Sequence, residues 1–376
     1  MHYVIVGNGV AGIQAAFQIR RRYERDRARI TVVSDETDYF FSRTAMMYAY
    51  MNKMKRRDLE PYEREVYDRQ NIELVRDRVV DLDADDQRLR LRSEDRLPYD
   101  KLLLAVGAKP RMVPFDGLDH ADEGVVNFVS MQDLDECERL TWSTDEAVVV
   151  GGGLVGVELV ECLNFHGVDV TFLVREPYFW PIGLHQEEGE MVTEHIRDHG
   201  VDLRHNEEID EIHSDGDGRV SAVRSNAGND YSCQMLGIAI GVVSNSDWLE
   251  DVRTPPDTER GILVDRSFET SLPNVWAAGD CVEIATEGDG DNLIEHIWYS
   301  AKRHGKLAGR SMVGDDITYE PPIFYNSAKF MDIEYTTVGE VTTAPDGTPS
   351  VYRKMPGEPI SQRIVYNEDN AGITGR

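Results

Sequence analysis

Two stretches of the chain carry the same pattern of apolar and polar positions. In each stretch, a short run of apolar residues with high strand propensity leads into three glycines at fixed spacing, and a helical pattern follows. The first stretch is HYVIVGNGVAG at residues 2–12, and the second is AVVVGGGLVGVE at residues 147–158. The pattern predicts a strand, a Gly-x-Gly-x-x-Gly turn and a helix at both places, about 145 residues apart.

The three glycines of the first stretch each have a physical reason. Gly7 allows a tight turn, Gly9 lets a pyrophosphate approach the backbone, and Gly12 lets the helix pack closely on the strand. A second apolar strand, predicted at residues 30–33, leads to Asp35, which lies 23 residues after Gly12. A carboxylate there accepts hydrogen bonds from the ribose of an adenosine, so the first stretch is expected to bind a dinucleotide.

The second stretch repeats the turn with Gly151, Gly153 and Gly156 but lacks the acidic position. After a strand predicted at residues 168–173 come Val174 and Arg175, an apolar residue followed by a cation suited to a 2′-phosphate. NADPH is therefore favoured over NADH, with an exposed arginine that binds no ligand as the open alternative. Two such units imply two dinucleotides, which one chain seldom holds unless it passes electrons between them.

The stretches between and after these units predict further strands and turns. Residues 36–55 predict a helix rich in Met and Tyr, in which Arg43 either neutralises a pyrophosphate or is a surface arginine. Residues 72–91 alternate like a β-meander, and residues 102–106 predict a buried strand that ends in the turn at Gly107. A buried strand at residues 275–278 leads to Gly279 and Asp280, where a carboxylate can bind a sugar-like hydroxyl chain. The helix predicted next has an N-terminal dipole that stabilises negative charge on a reduced ring.

Composition restricts the class of protein. The chain has 376 residues, enough for two or three domains, and no apolar run approaches the roughly 20 residues that a membrane span needs. The glycine motif at the very start leaves no room for a cleavable signal peptide, so a cytoplasmic location is expected. The four cysteines are 25 or more residues apart, which is typical of small buried thiols and predicts no metal site.

Charge excludes one class of partner. The chain has 69 acidic and 40 basic residues, a net charge of -29, and its basic residues are 32 Arg and 8 Lys. Nucleic acid is a poor partner for such a surface. An acidic docking face for a protein partner is one explanation, but the excess is spread along the whole chain. We therefore favour a halophilic explanation, in which high cytoplasmic salt screens the repulsion between carboxylates.

Four motifs in order resemble the FAD-dependent pyridine nucleotide (disulfide) oxidoreductases. They are the first glycine turn, LLLAVGAKPR, GGGLVGVE and VWAAGDC, and the resemblance covers about residues 1–340. It points to the NAD(P)H-dependent ferredoxin and rubredoxin reductases, the nitrite-reductase flavin modules, and the group of NADH oxidases and coenzyme A-disulfide reductases. The fold it implies is α/β, with two Rossmann-like three-layer domains and a short or truncated C-terminal α+β segment.

The resemblance also implies domains and site residues. Residues 1–112 and 244–320 would form a discontinuous FAD-binding domain, residues 113–243 an NAD(P)H-binding domain, and residues 321–376 a partial C-terminal interface domain. The residues implied to bind FAD are Gly7, Gly9, Gly12, Asp35, Arg43, Val79, Gly107, Gly279, Asp280 and Trp298, with Trp298 facing the flavin. Those implied to bind the nicotinamide nucleotide are Gly151, Gly153, Gly156, Glu158, Arg175 and Gly241, with Glu158 near the carboxamide.

One departure from the family decides between its activities. Members that reduce disulfides, or reduce dioxygen fully to water, use a cysteine in the segment equivalent to residues 40–46, which here reads FFSRTAM. The leading hypothesis is therefore an enzyme that passes hydride from NAD(P)H to FAD and then electrons to a ferredoxin, a rubredoxin or a small molecule. Open alternatives are a flavoprotein signalling module of the apoptosis-inducing-factor type and a peroxide or disulfide reductase that uses Cys281. We assign no general acid, and a homodimer stays open because the family's third domain often carries a dimer interface.

Overall fold

The computed structural model of the protein describes residues 1–286, 291–339, 348–367 and 372–375. The chain divides into two compact units, and each is described by itself. The first unit consists of Met1–Met46, Met54–Lys109 and Val242–Glu320. The second consists of Met47–Lys53, Pro110–Gly241 and Pro321–Arg376.

The described residues form 25 strands and seven α-helices. In chain order the strands are β1 (His2–Val6), β2 (Arg29–Ser34), β3 (Ile72–Arg76), β4 (Val79–Asp83), β5 (Arg88–Leu91), β6 (Arg96–Pro98), β7 (Lys101–Leu104), β8 (Ala108–Pro110), β9 (Val125–Val126), β10 (Glu146–Val150), β11 (Asp169–Val174), β12 (Asp202–His205), β13 (Ile209–Ser214), β14 (Val220–Ser225), β15 (Asp230–Ser232), β16 (Met235–Ile238), β17 (Val242–Ser244), β18 (Ile262–Val264), β19 (Val275–Ala277), β20 (Val282–Ile284), β21 (Tyr325–Phe330), β22 (Ile333–Val338), β23 (Ser350–Lys354), β24 (Ser361–Asn367) and β25 (Gly372–Gly375). The helices are α1 (Val10–Arg22), α2 (Met46–Tyr50), α3 (Glu65–Gln70), α4 (Met131–Thr141), α5 (Leu154–Phe165), α6 (Gln186–Asp198) and α7 (Trp298–Met312).

A five-stranded parallel sheet forms the centre of the first unit, in the order β19-β7-β1-β2-β3. Its strands are nearly continuous apolar runs because both faces of a parallel sheet are covered. Helices α1 and α7 pack against each other through small residues, and a Cβ on Gly305 would lie 2.1 Å from the carbonyl oxygen of Ala11. This close approach positions the start of α1 beside the carboxyl ends of the strands.

A second five-stranded parallel sheet, in the order β12-β11-β10-β16-β9, forms the centre of the second unit. The C-terminal segment packs on the same unit. Its hairpin β21–β22 places the Phe330 ring 5.3 Å from the ring of Phe179, and the Tyr335 hydroxyl donates to the Gly183 carbonyl oxygen at 2.9 Å. Arg363, on β24, donates to Glu188 at 2.6 Å.

The expected fold class is confirmed, since the chain is α/β with two parallel sheets and small antiparallel C-terminal sheets. Two local predictions hold only in part. The helix rich in Met and Tyr that was expected within residues 36–55 is α2, preceded by a 3₁₀ turn at Arg43–Ala45, and it is short because Phe40 and Phe41 are buried ahead of it and Asn52 follows it in a left-handed conformation with φ of 55°.

The second difference concerns strands. In residues 72–91, β3 joins the parallel sheet beside β2, and only β4 and β5 continue as an antiparallel pair. Further along the chain, β16 ends at Ile238, and Gly241, with φ of 110°, lies immediately before β17. Across the described ranges, we find no helix that is both long and apolar enough to cross a membrane.

Candidate functional site

The first glycine turn leaves backbone donors open at the start of α1. Gly9 precedes the helix with an extended backbone, and no side chain caps the first turn. A Cβ built on Gly9 meets nothing within 4 Å, whereas one on Gly12 would lie 2.0 Å from the carbonyl oxygen of Gly7. Gly7 itself has φ of 110°, with Ala105 O only 2.1 Å from its hypothetical Cβ. A larger residue than glycine would therefore clash at Gly7 and at Gly12. Gly9 instead borders the open space into which the free N–H groups at the start of α1 point.

Asp35 lies at the carboxyl end of β2, on the same edge of the sheet as the glycine turn. Its carboxylate accepts from Arg78 Nε at 2.5 Å and stays exposed. Val79, next along the chain, begins β4 and is buried. Asp35 therefore presents a carboxylate at the position where a ribose would be bound, with a cation already beside it.

Arg43 is partnered by a carboxylate. Its guanidinium donates to both oxygens of Glu36, at 2.8 and 2.7 Å, and lies 4.9 Å from the centre of the Phe41 ring. It is also close enough to lower the pKa of Asp280 by its charge. Arg43 therefore brings little net charge of its own to the site, since the Glu36 carboxylate balances it.

Two buried polar atoms at the carboxyl end of β19 and the start of α7 have no hydrogen-bond partner. These atoms are Asp280 Oδ1 and Trp298 Nε1. Gly279, with φ of 91°, turns the chain so that Asp280 follows the strand, and Lys302 Nζ lies 4.7 Å from the Trp298 ring centre. Burial raises the pKa of Asp280, and the charges of His296, His304 and Arg43 oppose that rise.

Buried polar atoms without a partner cost roughly 1–3 kcal/mol each, so such atoms at one edge of a sheet point to a ligand that satisfies them. Gly107, after β7 on the same edge, has φ of 69° and also faces open space. The acceptor Asp280 Oδ1 suits a ribityl hydroxyl, and the donor Trp298 Nε1 suits a polar atom of a flavin ring. The uncovered N-terminus of α1 suits a pyrophosphate. The residues present fit FAD.

Sequence reasoning missed a hydrogen-bonded group next to this edge. Glu295 accepts from Tyr319 OH at 2.6 Å, from Ser300 Oγ at 3.0 Å and from His304 Nε2 at 3.2 Å. Burial opposes ionisation of Glu295, but the bonds from His304 and Tyr319 outweigh it, so its pKa is lowered. Nothing in the sequence pattern reveals this group, because its members come together only when α7 packs on the sheet.

The second glycine turn reproduces the first in detail. Gly151 has φ of 113°, and a Cβ on Gly156 would lie 2.0 Å from the Gly151 carbonyl oxygen. A Cβ on Gly153 meets nothing within 4 Å, and no side chain caps α5. Gly241, after β16, has φ of 110° and also faces open space. The second unit therefore offers a second uncovered helix N-terminus.

Glu158 lies on α5, close to this turn in sequence, and is partly buried. Burial raises its pKa to about 7, the charge of Glu161 adds to the rise, and Lys329 opposes it. Lys329 is hydrogen-bonded to Glu161. The raised pKa makes the protonated form of Glu158 accessible near neutral pH, and a protonated carboxyl can donate a hydrogen bond.

Val174 and Arg175 end the strand beside the second glycine turn. Val174 is fully buried, and its side chain would contact a Cβ on Gly152 at 2.7 Å. Arg175 is exposed, with Nε 3.1 Å from Glu176 Oε1. The structure thus places an apolar residue where an acidic one would select a 2′-hydroxyl, followed by a solvent-facing cation.

All four cysteines are buried and free. Cys281 Sγ donates to the carbonyl oxygens of Ala278 at 3.4 Å and Leu104 at 3.5 Å. Burial raises the pKa of Cys281 to about 11, so its thiol stays protonated at neutral pH and is a poor nucleophile. The segment at residues 40–46 contains no cysteine.

Comparison with known proteins identifies related sequences. Residues 1–305 match the sequence profile of the family described as pyridine nucleotide-disulphide oxidoreductase. Rhodocoxin reductase from Rhodococcus erythropolis is 31% identical over 296 residues, which are 77% of this chain and 66% of that protein. Nitrite reductase [NAD(P)H] from Bacillus subtilis is 24% identical over 381 residues, which cover 98% of this chain but only 46% of that protein.

Solved structures share the fold. The ferredoxin reductase for the CYP199A2 system from Rhodopseudomonas palustris aligns with a TM-score of 0.87 at 23% identity, covering 100% of this chain and 90% of that one. The reductase of the covalent putidaredoxin reductase–putidaredoxin complex aligns with a TM-score of 0.85 at 21% identity, covering 100% and 88%. At this identity, the likeness establishes the fold.

Proposed function

Because the chain belongs to the pyridine nucleotide-disulphide oxidoreductase family, we propose that it passes electrons from NADPH, through FAD, to a small carrier of the ferredoxin or rubredoxin type. Family membership makes the chain an NAD(P)H-dependent flavin oxidoreductase. The choice of NADPH and the nature of the acceptor are the finer parts of the proposal. The observation that most supports a flavin site in the chain is the pair of buried, unpartnered polar atoms of Asp280 and Trp298 beside an uncovered helix N-terminus.

The first unit is proposed to bind FAD. Gly9 and the first turn of α1 would bind the pyrophosphate, Asp35 the adenosine ribose, and Asp280 the ribityl hydroxyls. The residues proposed to complete the site are Gly7, Gly12, Arg43, Val79, Gly107, Gly279 and Trp298. When bound, FAD supplies the exchange between hydride and single-electron transfer that side chains do not provide.

The second unit is proposed to bind the nicotinamide nucleotide. Gly153 and the start of α5 would bind its pyrophosphate, Arg175 its 2′-phosphate, and Glu158 its carboxamide. Gly151 and Gly156 shape the turn, and a Cβ on Gly241 would project into open space. These groups bind and orient the nucleotide, and orientation of two reactants accounts for a large part of many rate enhancements.

A one-electron carrier is the proposed acceptor because the chain offers no thiol relay. Its four cysteines are separately buried, and Cys281 has a raised pKa. Rhodocoxin reductase is 31% identical, and putidaredoxin reductase has been solved in a covalent complex with putidaredoxin. We also propose a cytoplasmic setting of high salt, for which the net charge of -29 is the support.

An acceptor panel tests this proposal. Holoprotein, NADPH and either a ferredoxin or a rubredoxin are mixed in high salt, and reduction of cytochrome c by the carrier is followed. We expect rapid turnover with at least one carrier and the same rate in Cys281→Ala. Slow turnover with every carrier and a long-lived reduced complex with NADP⁺ would favour a signalling module. A loss of turnover in a folded Cys281→Ala variant would favour a thiol mechanism.

A further inference from the structure

Two histidines and an aspartate of the second unit lie together away from both glycine turns. His195 and His199 are one turn apart on α6 and its C-terminal cap, and Asp332 is in the turn of hairpin β21–β22. Their ligand-type atoms all lie within 4.8 Å of one another. Among the residues that the structure describes, this is the one group of three or more His, Cys, Asp or Glu side chains close enough to share a metal ion.

A backbone hydrogen bond orients the His199 imidazole in the way that metal-binding histidines require. His199 Nδ1 lies 2.8 Å from the backbone oxygen of His195, and a carbonyl only accepts, so Nδ1 carries the hydrogen. In the neutral ring, the lone pair is then on Nε2, which lies 3.7 Å from Asp332 Oδ1. His195 Nε2 contacts the same oxygen. A metal-binding histidine usually donates a hydrogen bond from its other ring nitrogen to a backbone carbonyl or a carboxylate, which fixes the orientation of the ring.

The spacing suits a small cation. Ligand atoms on a tetrahedral zinc ion are about 3.3 Å apart, since each metal–ligand distance is about 2.0 Å. The distance of 3.7 Å between His199 Nε2 and Asp332 Oδ1 is close to this value. His195 Nε2 is hydrogen-bonded to the same oxygen, so the exposed Asp332 side chain would move away from it to admit an ion. Two imidazoles and one carboxylate favour zinc or a similar transition metal over calcium or magnesium, which prefer ligand sets made only of oxygen.

A cavity of about 210 Å³ borders the same group. His199 and Asp332 line it, with Lys53, Glu161 and Lys329 on other walls. A cation held by three side chains would therefore have room for a water or a small anion as its fourth ligand. A three-residue set with an open position is the arrangement of reactive zinc sites, whereas structural sites use four protein ligands.

We propose that His195, His199 and Asp332 form a binding site for a divalent transition metal of the zinc type. The ion would join α6 to the C-terminal hairpin, two segments whose ligands are 137 residues apart in the chain. The alternative is a simple hydrogen-bonded ion pair between His195 and Asp332. The two differ in whether the second imidazole, His199, contributes to binding a metal.

Zinc titration of the holoprotein separates the two. The protein is treated with chelator, freed of it, and titrated with Zn²⁺ against a fluorescent indicator in molar KCl with excess Mg²⁺, which occupies the surface carboxylates. We expect one tight equivalent per chain. His199→Gln and Asp332→Asn should each weaken the Kd at least tenfold, since loss of a ligand costs at least as much as loss of its supporting group.

His213→Gln is the matched control. His213 lies 3.7 Å from Glu211 but belongs to no group of three ligands among the described residues, so its loss should leave the Kd unchanged. Visible Co²⁺ bands beyond the flavin absorption, present in the wild type and absent in His199→Gln, give an independent reading. The proposal is overturned if no tight equivalent is found, or if His199→Gln binds Zn²⁺ as tightly as the wild type.

Discussion

At the scale of residues, the informative groups are buried polar atoms that the protein itself leaves unpaired. Asp280 Oδ1 and Trp298 Nε1 are such atoms, and both belong to residues that the family resemblance had already implied. The sequence could predict Asp280 because VWAAGDC is a continuous motif. It could not predict the bonds of Glu295 to His304 and Tyr319, since these residues are 9 and 24 positions away and meet through packing.

Asp280→Asn should weaken FAD binding while the protein still folds. The amide keeps the size of the carboxylate but replaces one acceptor oxygen by a donor, so a hydroxyl of the ligand is left unpaired at roughly 1–3 kcal/mol. This corresponds to a Kd about 5- to 150-fold higher, measured by flavin fluorescence on mixing with apoprotein. Asp119→Asn, an exposed aspartate, is the control. Equal FAD affinity in Asp280→Asn and wild type would exclude the proposed role.

Glu158 should make stability depend on pH. Its pKa rises from 4.5 to about 7 on folding, because the folded state holds the proton more tightly than the unfolded state does. The contribution of Glu158 to the free energy of unfolding is therefore largest below about pH 4.5 and is lost as the pH rises to about 7. Relative to Glu158→Gln, the free energy of unfolding of the wild-type apoprotein should fall by at most about 3 kcal/mol over this window. Urea unfolding at several pH values measures it, with exposed Glu194→Gln as control. A constant difference between wild type and Glu158→Gln would contradict the raised pKa.

Arg175→Ala should raise the KM for NADPH and leave kcat nearly unchanged. The 2′-phosphate is remote from the transferred hydride, so Arg175 binds ground state and transition state alike. Val174→Glu combined with Arg175→Ala should reverse the preference toward NADH. Steady-state kinetics with both nucleotides measures this, and Arg139→Ala is the control, because Arg139 is paired with Glu136 within α4. Preference of the wild type for NADH would make Arg175 a surface cation, with His185 and Arg204 the next to test.

At the scale of elements, the two glycine turns show what sequence can and cannot establish. Strand, turn and helix were predicted at both places because each glycine has a local role that its spacing reveals. The helix expected within residues 36–55 is shorter than the pattern suggested, because Phe40 and Phe41 are buried ahead of it and α2 begins only at Met46. Strand β3 was assigned to a meander because alternation alone does not say which strand is its neighbour.

Gly9 and Gly12 should respond differently to the same substitution. Gly9→Ala should leave the thermal midpoint of the apoprotein unchanged, because the new methyl meets nothing within 4 Å, but it should weaken FAD binding by occupying the space of the pyrophosphate. Gly12→Ala should destabilise the apoprotein, since its Cβ would lie 2.0 Å from the Gly7 carbonyl oxygen. Calorimetry and flavin titration measure the two effects. A Gly9→Ala variant with normal FAD affinity would show that no phosphate approaches this turn.

At the scale of the whole molecule, charge and composition were read directly from the sequence, whereas long-range groupings were not. The candidate metal site of His195, His199 and Asp332 has no sequence signature, since two histidines four residues apart are common and the third ligand is 133 residues further on. The C-terminal hairpin brings Asp332 to α6 through tertiary packing alone. A group whose members are this far apart in sequence can be recognised only from the structure.

The acidic surface should make stability depend on salt. With a net charge of -29, repulsion between carboxylates opposes the compact state, and added ions screen it over a Debye length of about 10 Å at 0.1 M and about 3 Å at 1 M. The thermal midpoint should therefore rise from dilute buffer to molar KCl. A scan at several KCl concentrations, with a glucose series as control for solvent viscosity, measures it. A midpoint that is flat or falls would favour an acidic docking face for a partner.

The central claim is that this chain transfers electrons through FAD alone, without a redox-active thiol pair. Anaerobic titration of the holoprotein with NADPH, followed by loss of the oxidised flavin absorption, tests it most directly. Because the four cysteines are buried and unpaired, FAD is the one two-electron centre, and one equivalent of NADPH per FAD should complete the reduction. A requirement for two equivalents would reveal a second centre, and a folded protein that binds no FAD would contradict the account altogether.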